Sequence, residues 1–246
     1  MNFSGRHIIV TGASTGIGFA TARSLCRRGA HVSLLARSED KLIKAVGSLE
    51  RDGGSAVQIA VDVSDCDALM AAFTKAEQAF GPAQGLFANA GAIGEFGPVT
   101  ECSNALFDDV LRTNITSVFW AIKRVLPSMI ERKKGSIVVT GSLASERGMP
   151  GNAAYVASKH ALLGLARAVA SEVAVNGVRV NCILPGLIET PMLAAIDPNA
   201  SIDAMRQILS KAVPQGRVGT ADEVSELVCF LLSDAASHIT AQSIAV

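Results

Sequence analysis

The feature that most constrains this chain is a regular alternation of short apolar runs with longer segments of helical periodicity. The runs are apolar at nearly every position, which is typical of strands that are buried on both faces. Strands that alternate with helices form a parallel sheet with right-handed crossovers and helices on both faces. We therefore predict an α/β fold with a doubly wound parallel sheet of about seven strands. The strands indicated by the sequence are residues 7–10, 32–36, 57–61, 85–89, 136–140 and 178–183.

The segments between these runs carry apolar residues three and four positions apart, as one buried face of a helix requires. In such sheets ligands bind beyond the carboxyl ends of the strands, so functional residues are expected in the turns that follow them. The stretch 185–220 interrupts the alternation, and we expect a substrate lid within it, over residues 187–214. The predicted helices are residues 16–29, 39–50, 65–80, 103–132, 153–176 and 221–232.

The composition and charge of the chain bear on its number of domains, its partners and its location. No linker, charge block or repeat divides the 246 residues, so we expect one domain over residues 1–246. Twenty-two Lys and Arg balance 22 Asp and Glu without a basic patch, which argues against nucleic acid as a partner. The charge-free run 78–94 is short and broken by Pro82, and no secretory signal precedes it, so no membrane is expected. Five scattered cysteines predict neither disulfides nor a metal site, and they favour the cytoplasm.

The first predicted strand runs into a glycine-rich turn that opens the first predicted helix, with the sequence Thr-Gly-Ala-Ser-Thr-Gly-Ile-Gly over residues 11–18. Glycines in this place allow a tight turn and close approach of a pyrophosphate, to which the helix amides donate. A glycine-rich turn without a ligand is the alternative, but the position between strand and helix favours a dinucleotide. The cofactor-binding residues expected here are Gly12, Ser14, Thr15, Gly16, Ile17 and Gly18.

The spacing of these glycines is G-x-x-x-G-x-G rather than G-x-G-x-x-G, and with it the sequence resembles the short-chain dehydrogenase/reductase family, in its compact single-domain branch. The resemblance extends over essentially the whole chain. It implies a Rossmann-type fold and a nicotinamide cofactor, and it implies hydride transfer to or from the substrate carbon.

The end of the second predicted strand bears on which nicotinamide cofactor binds. An NAD site would place a carboxylate there for the ribose hydroxyls, but this chain has Ala36 followed by Arg37, whose guanidinium suits a 2′-phosphate. We therefore favour NADP(H) over NAD(H). Arg37 as a solvated charge neutralised by Glu39 or Asp40 is the alternative, and Thr15 stands where one NADP-using branch has a second basic residue.

Three residues carry the catalytic hypothesis. Tyr155 is the single tyrosine, and Lys159 follows it four positions later on a predicted helix, so both side chains lie on one face. Ser142 follows the fifth predicted strand. We expect the Lys159 ammonium to lower the pKa of the Tyr155 phenol, which then acts as general acid and base. The Ser142 hydroxyl would hold the substrate oxygen.

Further roles are implied by the resemblance. Tyr155 and Lys159 would also contact the cofactor, and Lys159 would hydrogen-bond the nicotinamide ribose. Asn114 would be the fourth catalytic residue and would link Lys159 to solvent through water, although a helix-bending role for Asn114 is compatible with this. Thr190 would meet the nicotinamide carboxamide or else cap the helix that follows it. Asp62 would contact the adenine or cap the next helix. The remaining expected cofactor contacts are Val63, Asn89, Ala90, Gly91, Pro185, Gly186 and Ile188.

These residues predict an NADP(H)-dependent oxidoreductase that interconverts a secondary alcohol and a ketone. The apolar lid favours a small or medium-sized substrate, whereas Arg206, Lys211 and Arg217 keep 3-oxoacyl-(acyl-carrier-protein) reduction open as the alternative. A sugar-nucleotide epimerase would need a second domain, for which this length leaves no room. A non-catalytic nucleotide-sensing protein would be expected to lack one of the catalytic residues. The resemblance implies a homotetramer or homodimer.

Overall fold

The computed structural model describes residues 1–194 and 202–246, and within them the strands form one main sheet and one short ladder. The main sheet has seven parallel strands in the order β3-β2-β1-β4-β5-β6-β9, which confirms the predicted fold. Its strands are β1 (His7–Thr11), β2 (His31–Ala36), β3 (Ser55–Ala60), β4 (Gly85–Ala88), β5 (Gly135–Thr140), β6 (Val178–Leu184) and β9 (Ser243–Ala245). The ladder pairs β7 (Ile188–Glu189) with β8 (Gly219–Thr220).

Helices follow the strands in the predicted order, with one difference inside the segment 103–132. That segment is interrupted by a π-helical turn at Arg112–Thr116, which separates α4 from α5. A π turn inserts one extra residue and re-aims its side chains, which periodicity alone does not reveal. The helices are α1 (Gly16–Cys26), α2 (Glu39–Arg51), α3 (Cys66–Phe80), α4 (Asn104–Leu111), α5 (Ser117–Glu131), α6 (Ala153–Val173), α7 (Pro191–Ala194), α8 (Ile202–Ser210) and α9 (Ala221–Leu232).

Two buried clusters cover the two faces of the sheet. Successive residues of β1 enter different clusters: Ile9 packs in one, and Ile8 and Val10 pack in the other. Successive side chains of a strand point to opposite faces, so a strand covered by helices on both sides must be apolar throughout. This is the physical reason for the continuous apolar runs in the sequence.

The order of the strands locates the crevice. The chain leaves β1 towards β2 on one side, whereas β4 lies on the other side of β1, so the order reverses between β1 and β4. Such a reversal leaves a crevice at the carboxyl ends of the strands, between the two diverging connections. Over the part of the chain that the structure describes, no helix has the length and apolar character needed to cross a bilayer.

Candidate active site

The turn between β1 and α1 is packed too closely to admit side chains at two of its glycines. Gly12 has φ +65°, and a Cβ there would lie 2.9 Å from the Cα of Ala90. A Cβ on Gly18 would lie 2.3 Å from the carbonyl oxygen of Gly12. These two positions therefore require glycine because the first turn of α1 lies directly against the end of β1 and against the turn after β4.

The first turn of α1 fits an anionic group. Thr15 is the N-cap residue, yet its side chain makes no capping hydrogen bond, and no acidic residue lies in the first turn. The N-terminal amides and the positive end of the helix are thus available to a pyrophosphate. Gly16 faces Thr190, whose Cβ would lie 3.5 Å from a Cβ on Gly16. Ser14 and Ile17 belong to the same turn.

Arg37 lies exposed directly after β2, beside the turn that follows β3. Among the described residues no carboxylate lies within the 4 Å ion-pair distance of Arg37, so neither Glu39 nor Asp40 neutralises it there. Asp62 accepts from the backbone N–H of Ser64 at 2.9 Å and from its hydroxyl at 2.8 Å. Chiefly the backbone hydrogen bond, together with that hydroxyl and the Arg37 charge, lowers the pKa of Asp62. Val63 is buried next to it.

Asn89 joins the ends of three strands. Its Nδ2 donates to the carbonyl oxygens of Thr11 and Gly12, and its Oδ1 accepts from the hydroxyl of Thr140 at 3.2 Å. The N–H groups of Asn89 and Ala90 both donate to Oγ1 of Thr11, each at 3.0 Å. The turn after β4 is therefore locked to the glycine turn. Asn89, Ala90 and Gly91 consequently border the crevice between β1 and β4.

Ser142, Tyr155 and Lys159 come together beyond the carboxyl end of β5. Lys159 is 4% exposed, and its Nζ donates to the carbonyl oxygen of Thr140 at 2.7 Å while lying 5.5 Å from the centre of the Tyr155 ring. Oγ of Ser142 accepts from the N–H of Ala144 at 3.1 Å, which leaves the hydroxyl proton free to be donated. The Ser142 side chain lies close enough to the Tyr155 phenol to lower its pKa.

The pKa values in this cluster correct one expectation. The pKa of Tyr155 is raised from 10.0, chiefly by burial, and the contact with Ser142 opposes that rise only in part. We expected Lys159 to lower the pKa of Tyr155, and in this structure it does not. Burial lowers the pKa of Lys159 itself to about 8, because an ammonium held away from water is costly. Its Nζ also points towards Thr140 rather than towards the phenol oxygen.

Asn114 lies at the centre of the π-helical turn and is fully buried. Its Oδ1 accepts from the N–H of Ala92 at 2.7 Å, and its Nδ2 donates to the Ala92 carbonyl at 2.8 Å and to Oγ of Ser158 at 2.9 Å. Both amide protons are used in this way. Among the described contacts none joins the Asn114 side chain to Lys159, so a link between them would run through other atoms.

The segment that follows β6 lies against the glycine turn. Pro185 accepts from the N–H of Leu143, and so connects the segment after β6 to the one that carries Ser142. Gly186 follows Pro185, and Ile188 is buried in β7. Oγ1 of Thr190 accepts from the N–H of Leu193 at 3.4 Å, so Thr190 caps α7 and faces Gly16 at the same time. Within the predicted lid, residues 195–201 lie outside the described residues.

Sequence reasoning missed three residues that hold the cluster of Ser142, Tyr155 and Lys159 in place. Ser158 donates to the Tyr155 carbonyl at 2.7 Å and so connects Asn114 to α6. Asn152 caps α6 by accepting from the N–H of Tyr155, and its Nδ2 donates to the Ile93 carbonyl. The N-cap preference of Asn predicts this role three positions before Tyr155. The part played by the Thr140 carbonyl has no sequence signal, because every residue carries one.

The chain is similar to known proteins over nearly its whole length. A family model described as enoyl-(acyl carrier protein) reductase matches residues 12–246. The chain is 38% identical over 243 residues to 2-(S)-hydroxypropyl-CoM dehydrogenase 3 of Xanthobacter autotrophicus, covering 97% of this chain and 94% of that protein. It is 35% identical over 244 residues to the 3-oxoacyl-(acyl-carrier-protein) reductase of Escherichia coli, covering 99% and 96%. A crystal structure of a variant actinorhodin polyketide ketoreductase with NADPH has a TM-score of 0.94 at 34% identity, covering 100% and 97%.

Proposed function

Because the chain belongs to the short-chain dehydrogenase/reductase family, we propose that it is an NADP(H)-dependent oxidoreductase that interconverts a secondary alcohol and a ketone. The observation that carries this proposal is the cluster of Ser142, Tyr155 and Lys159 at the carboxyl end of β5. It lies across the crevice from a helix N-terminus that is suited to a pyrophosphate. A cofactor held along the crevice would therefore present its reactive ring to these side chains.

In this proposal Ser142, Tyr155 and Lys159 each have a separate role in the reaction. The Ser142 hydroxyl donates to the substrate oxygen and orients the carbonyl. Tyr155 supplies the proton that the substrate oxygen needs as it becomes an alcohol. Lys159 places a positive charge within the buried site, where it stabilises negative charge on oxygen more strongly than it would in water. The nicotinamide, when bound, supplies or accepts the hydride.

The raised pKa of Tyr155 favours ketone reduction at neutral pH. A phenol whose pKa lies above 10.0 is protonated at pH 7, so the residue is ready to give a proton rather than to take one. Alcohol oxidation needs the phenolate, and we therefore expect that direction to be faster as the pH rises.

The preference for NADP(H) is proposed from Arg37. The guanidinium is exposed and forms no ion pair with a carboxylate of the described residues, and Ala36 leaves no acid to bind the ribose hydroxyls. A 2′-phosphate offers this guanidinium a charge-assisted partner. The related polyketide ketoreductase, whose structure contains NADPH, supports the proposal.

We extend the proposal to the assembly and to the lid. Residues 1–246 act as one domain, in which the segment 187–214 covers the substrate and α7 and α8 form part of that cover. The family membership supports a homotetramer or homodimer.

The five cysteines, which the structure describes as free thiols, support a reducing, cytoplasmic location.

Reduction of a 3-oxoacyl group is the second candidate, and the similarity to the Escherichia coli reductase favours it. Three cations left this candidate open in the sequence, and two of them form ion pairs in the structure. Arg206 donates to Glu189 at 2.6 Å, and Arg217 forms a two-pronged ion pair with Glu223. Cations in ion pairs attract an anionic carrier less strongly than unpaired ones, which weighs against this candidate.

The test follows absorbance at 340 nm with NADPH and with NADH over a panel of ketones, diketones, sugars and a 3-oxoacyl thioester. We expect NADPH to be oxidised faster than NADH, and we expect the activity to be lost in Tyr155→Phe, which retains the ring and its packing. Faster oxidation of NADH would reverse the proposal for Arg37. Binding of neither nucleotide would overturn the assignment of the glycine turn.

A further inference from the structure

The side chain of Lys159 ends in a gap between the ends of two neighbouring strands. Its Nζ donates to the carbonyl oxygen of Thr140, the last residue of β5, at 2.7 Å. On the other side of the gap, Nζ lies 3.6 Å from the place that a Cβ on Gly91 would take, in the turn after β4. The position of this ammonium therefore depends on how the end of β5 lies relative to the turn after β4.

The backbone pairing of β4 with β5 ends just before this gap. The last pair in the register is Ala88 with Val139. Asn89 and Thr140 are the next two residues, and their side chains continue the connection, because the Thr140 hydroxyl donates to Oδ1 of Asn89 at 3.2 Å. The Thr140 hydroxyl thus extends the contact between the two strands to the point where Nζ lies.

The opposite edge of β5 is fixed by its backbone. Thr140 is paired with Ile183 of β6, and the N–H of Gly141 donates to the Ile183 carbonyl at 2.9 Å. Gly141 has no room for a side chain, since a Cβ there would lie 2.7 Å from Cδ2 of Leu184 and 2.8 Å from Sγ of Cys182. The end of β5 is therefore held against β6 by main-chain contacts, whereas its connection to the turn after β4 runs through the Thr140 side chain.

Asn89 extends this connection to the glycine turn. Its Nδ2 donates to the carbonyl oxygens of Thr11 and Gly12 at 3.2 Å and 3.3 Å, which leaves Oδ1 directed at Thr140. Removal of the Thr140 hydroxyl would take one donor from Oδ1 and leave both bonds of Nδ2 in place. The effect of such a change is therefore expected at Lys159 rather than at the glycine turn.

We infer that Thr140 is a positioning residue of the reaction, whose hydroxyl holds the end of β5 to Asn89 and so fixes the carbonyl that orients the Lys159 ammonium. This inference rests on the proposed function, because it names a residue that acts through Lys159. It assigns to Thr140 no part in the chemical step.

The test compares variants of Thr140 with a matched control. Thr140→Val keeps the branched shape that suits a strand and removes the hydroxyl, Thr140→Ser retains the hydroxyl, and Thr140→Ala is a second variant without it. Thr240→Val is the control, because Thr240 is also half-buried and its hydroxyl contacts the backbone of Val180 in β6. Steady-state kinetics with NADPH is measured for each variant.

The kcat of Thr140→Val should fall by about threefold to tenfold, the range expected for the loss of one hydrogen bond. The KM for NADPH should change less than kcat, since Asn89 still donates to both carbonyl groups of the glycine turn. Thr140→Ala should resemble Thr140→Val. Thr140→Ser should recover most of the wild-type kcat, and Thr240→Val should retain it.

A double-mutant cycle with Lys159 separates positioning from a general structural role. In a Lys159→Met background, Thr140→Val should lower the residual kcat no further, because the group through which Thr140 acts is absent. A loss of the same size in both backgrounds would show that Thr140 affects activity independently of Lys159.

A second measurement does not depend on turnover. Lysine labelled with ¹³C at Cε reports the titration of Lys159 by NMR, and Lys159→Met identifies its signal. The pKa of Lys159 should be lower in Thr140→Val than in the wild type and should recover in Thr140→Ser, because an acceptor held in place stabilises the ammonium.

The groups around Nζ leave this titration readable. Among the described residues, the titratable groups that face Nζ are the Cys182 thiol of β6 and the Tyr155 phenol of the same helix. Burial raises the pKa of Cys182 to about 11 and raises the pKa of Tyr155 above 10.0. Both therefore stay neutral where Lys159 titrates, at a pKa of about 8.

Three kinetic results would overturn the inference. They are a wild-type kcat in Thr140→Val, a Thr140→Ser variant as impaired as Thr140→Val, and an undiminished effect of Thr140→Val in the Lys159→Met background. If no ketone at all is reduced, the proposed function fails instead, and the NMR titration still decides the role of Thr140. A pKa of Lys159 that falls in Thr140→Val and recovers in Thr140→Ser supports that role, and the same pKa in all three proteins overturns it.

Discussion

Arg37 and Lys159 are the two cations of the proposed site, and they lie in opposite environments. Arg37 is exposed after β2, in contact with water, whereas Lys159 is 4% exposed within α6, against the end of β5. The pKa of Lys159 is lowered to about 8 by burial. The comparison shows that burial determines how strongly a cation acts on neighbouring atoms and how readily it loses its proton.

An exposed guanidinium remains charged at any physiological pH, and water and salt weaken its attraction for an anion. It can therefore select a cofactor but contributes little to a chemical step. A buried ammonium acts at full strength on nearby oxygen atoms, but the cost of its burial makes it lose its proton near the working pH. The following predictions test this division between recognition and chemistry.

The largest effect is expected at Lys159. Lys159→Met keeps the length and the apolar stem but removes the charge, so kcat should fall by about 10²- to 10⁴-fold, the range typical of a group that assists proton transfer. Steady-state kinetics with NADPH measures this, and nucleotide binding followed by NADPH fluorescence shows that the site still forms. A kcat within a factor of a few of the wild-type value would contradict the assignment.

The same substitution should alter how stability depends on pH. Unfolded Lys159 has the ordinary pKa of 10.5 and the folded one about 8, so between these values the unfolded state binds more protons and stability rises with pH. Relative to Lys159→Met, the wild type should gain at most about 3 kcal/mol between pH 8 and pH 10. Urea unfolding at both pH values measures the difference. Parallel curves for the two proteins would show that Lys159 is not desolvated.

At Arg37 the expected change is in recognition alone. Arg37→Ala should raise the KM for NADPH by about 10- to 100-fold, the loss of hydrogen bonds to a charged group, and leave kcat and the KM for NADH unchanged. Arg51→Ala, an exposed arginine at the other end of α2, is the control. An equal effect on both nucleotides would mean that Arg37 acts through the fold and not through the 2′-phosphate.

The smallest effect is that of salt. Raising the ionic strength from about 0.05 M to 0.5 M should increase the KM for NADPH by a few-fold and leave kcat unchanged, because the screening length becomes shorter than the distances at an exposed site but does not enter a buried one. The KM for NADH should respond less. Steady-state kinetics over a series of salt concentrations measures this. If kcat falls together with the affinity for NADPH, the division between exposed Arg37 in recognition and buried Lys159 in the chemical step is contradicted.

The turn from residue 11 to residue 18 is an example of a structure that local sequence predicts. Its position depends on three glycines within seven residues and on the helix that begins there, so it was predictable, whereas the close contact of Gly12 with Ala90 joins residues that are distant in sequence. The strands were predictable for a related reason, since a strand buried on both faces must be apolar along its length. The π-helical turn around Asn114 was not predictable, because it depends on the Ala92 backbone and on Ser158, both distant in sequence.

Spacing placed Tyr155 and Lys159 on one face of a helix, but it did not determine their pKa values. The expectation that Lys159 lowers the pKa of Tyr155 was wrong, because burial affects both groups and the lysine points to the Thr140 carbonyl. A pKa depends on how much water remains around a group and on which atoms replace it. Those atoms come from β5 and from the turn before α6.

The sequence by itself determined the α/β fold, the glycine turn and the identity of the residues at the strand ends, because these follow from local periodicity and from backbone freedom at glycine. Only the tertiary structure decided which groups are buried together and which cations are engaged in ion pairs. Desolvation and charge pairing act through space between segments that are far apart in the chain, and no local pattern of residues records them.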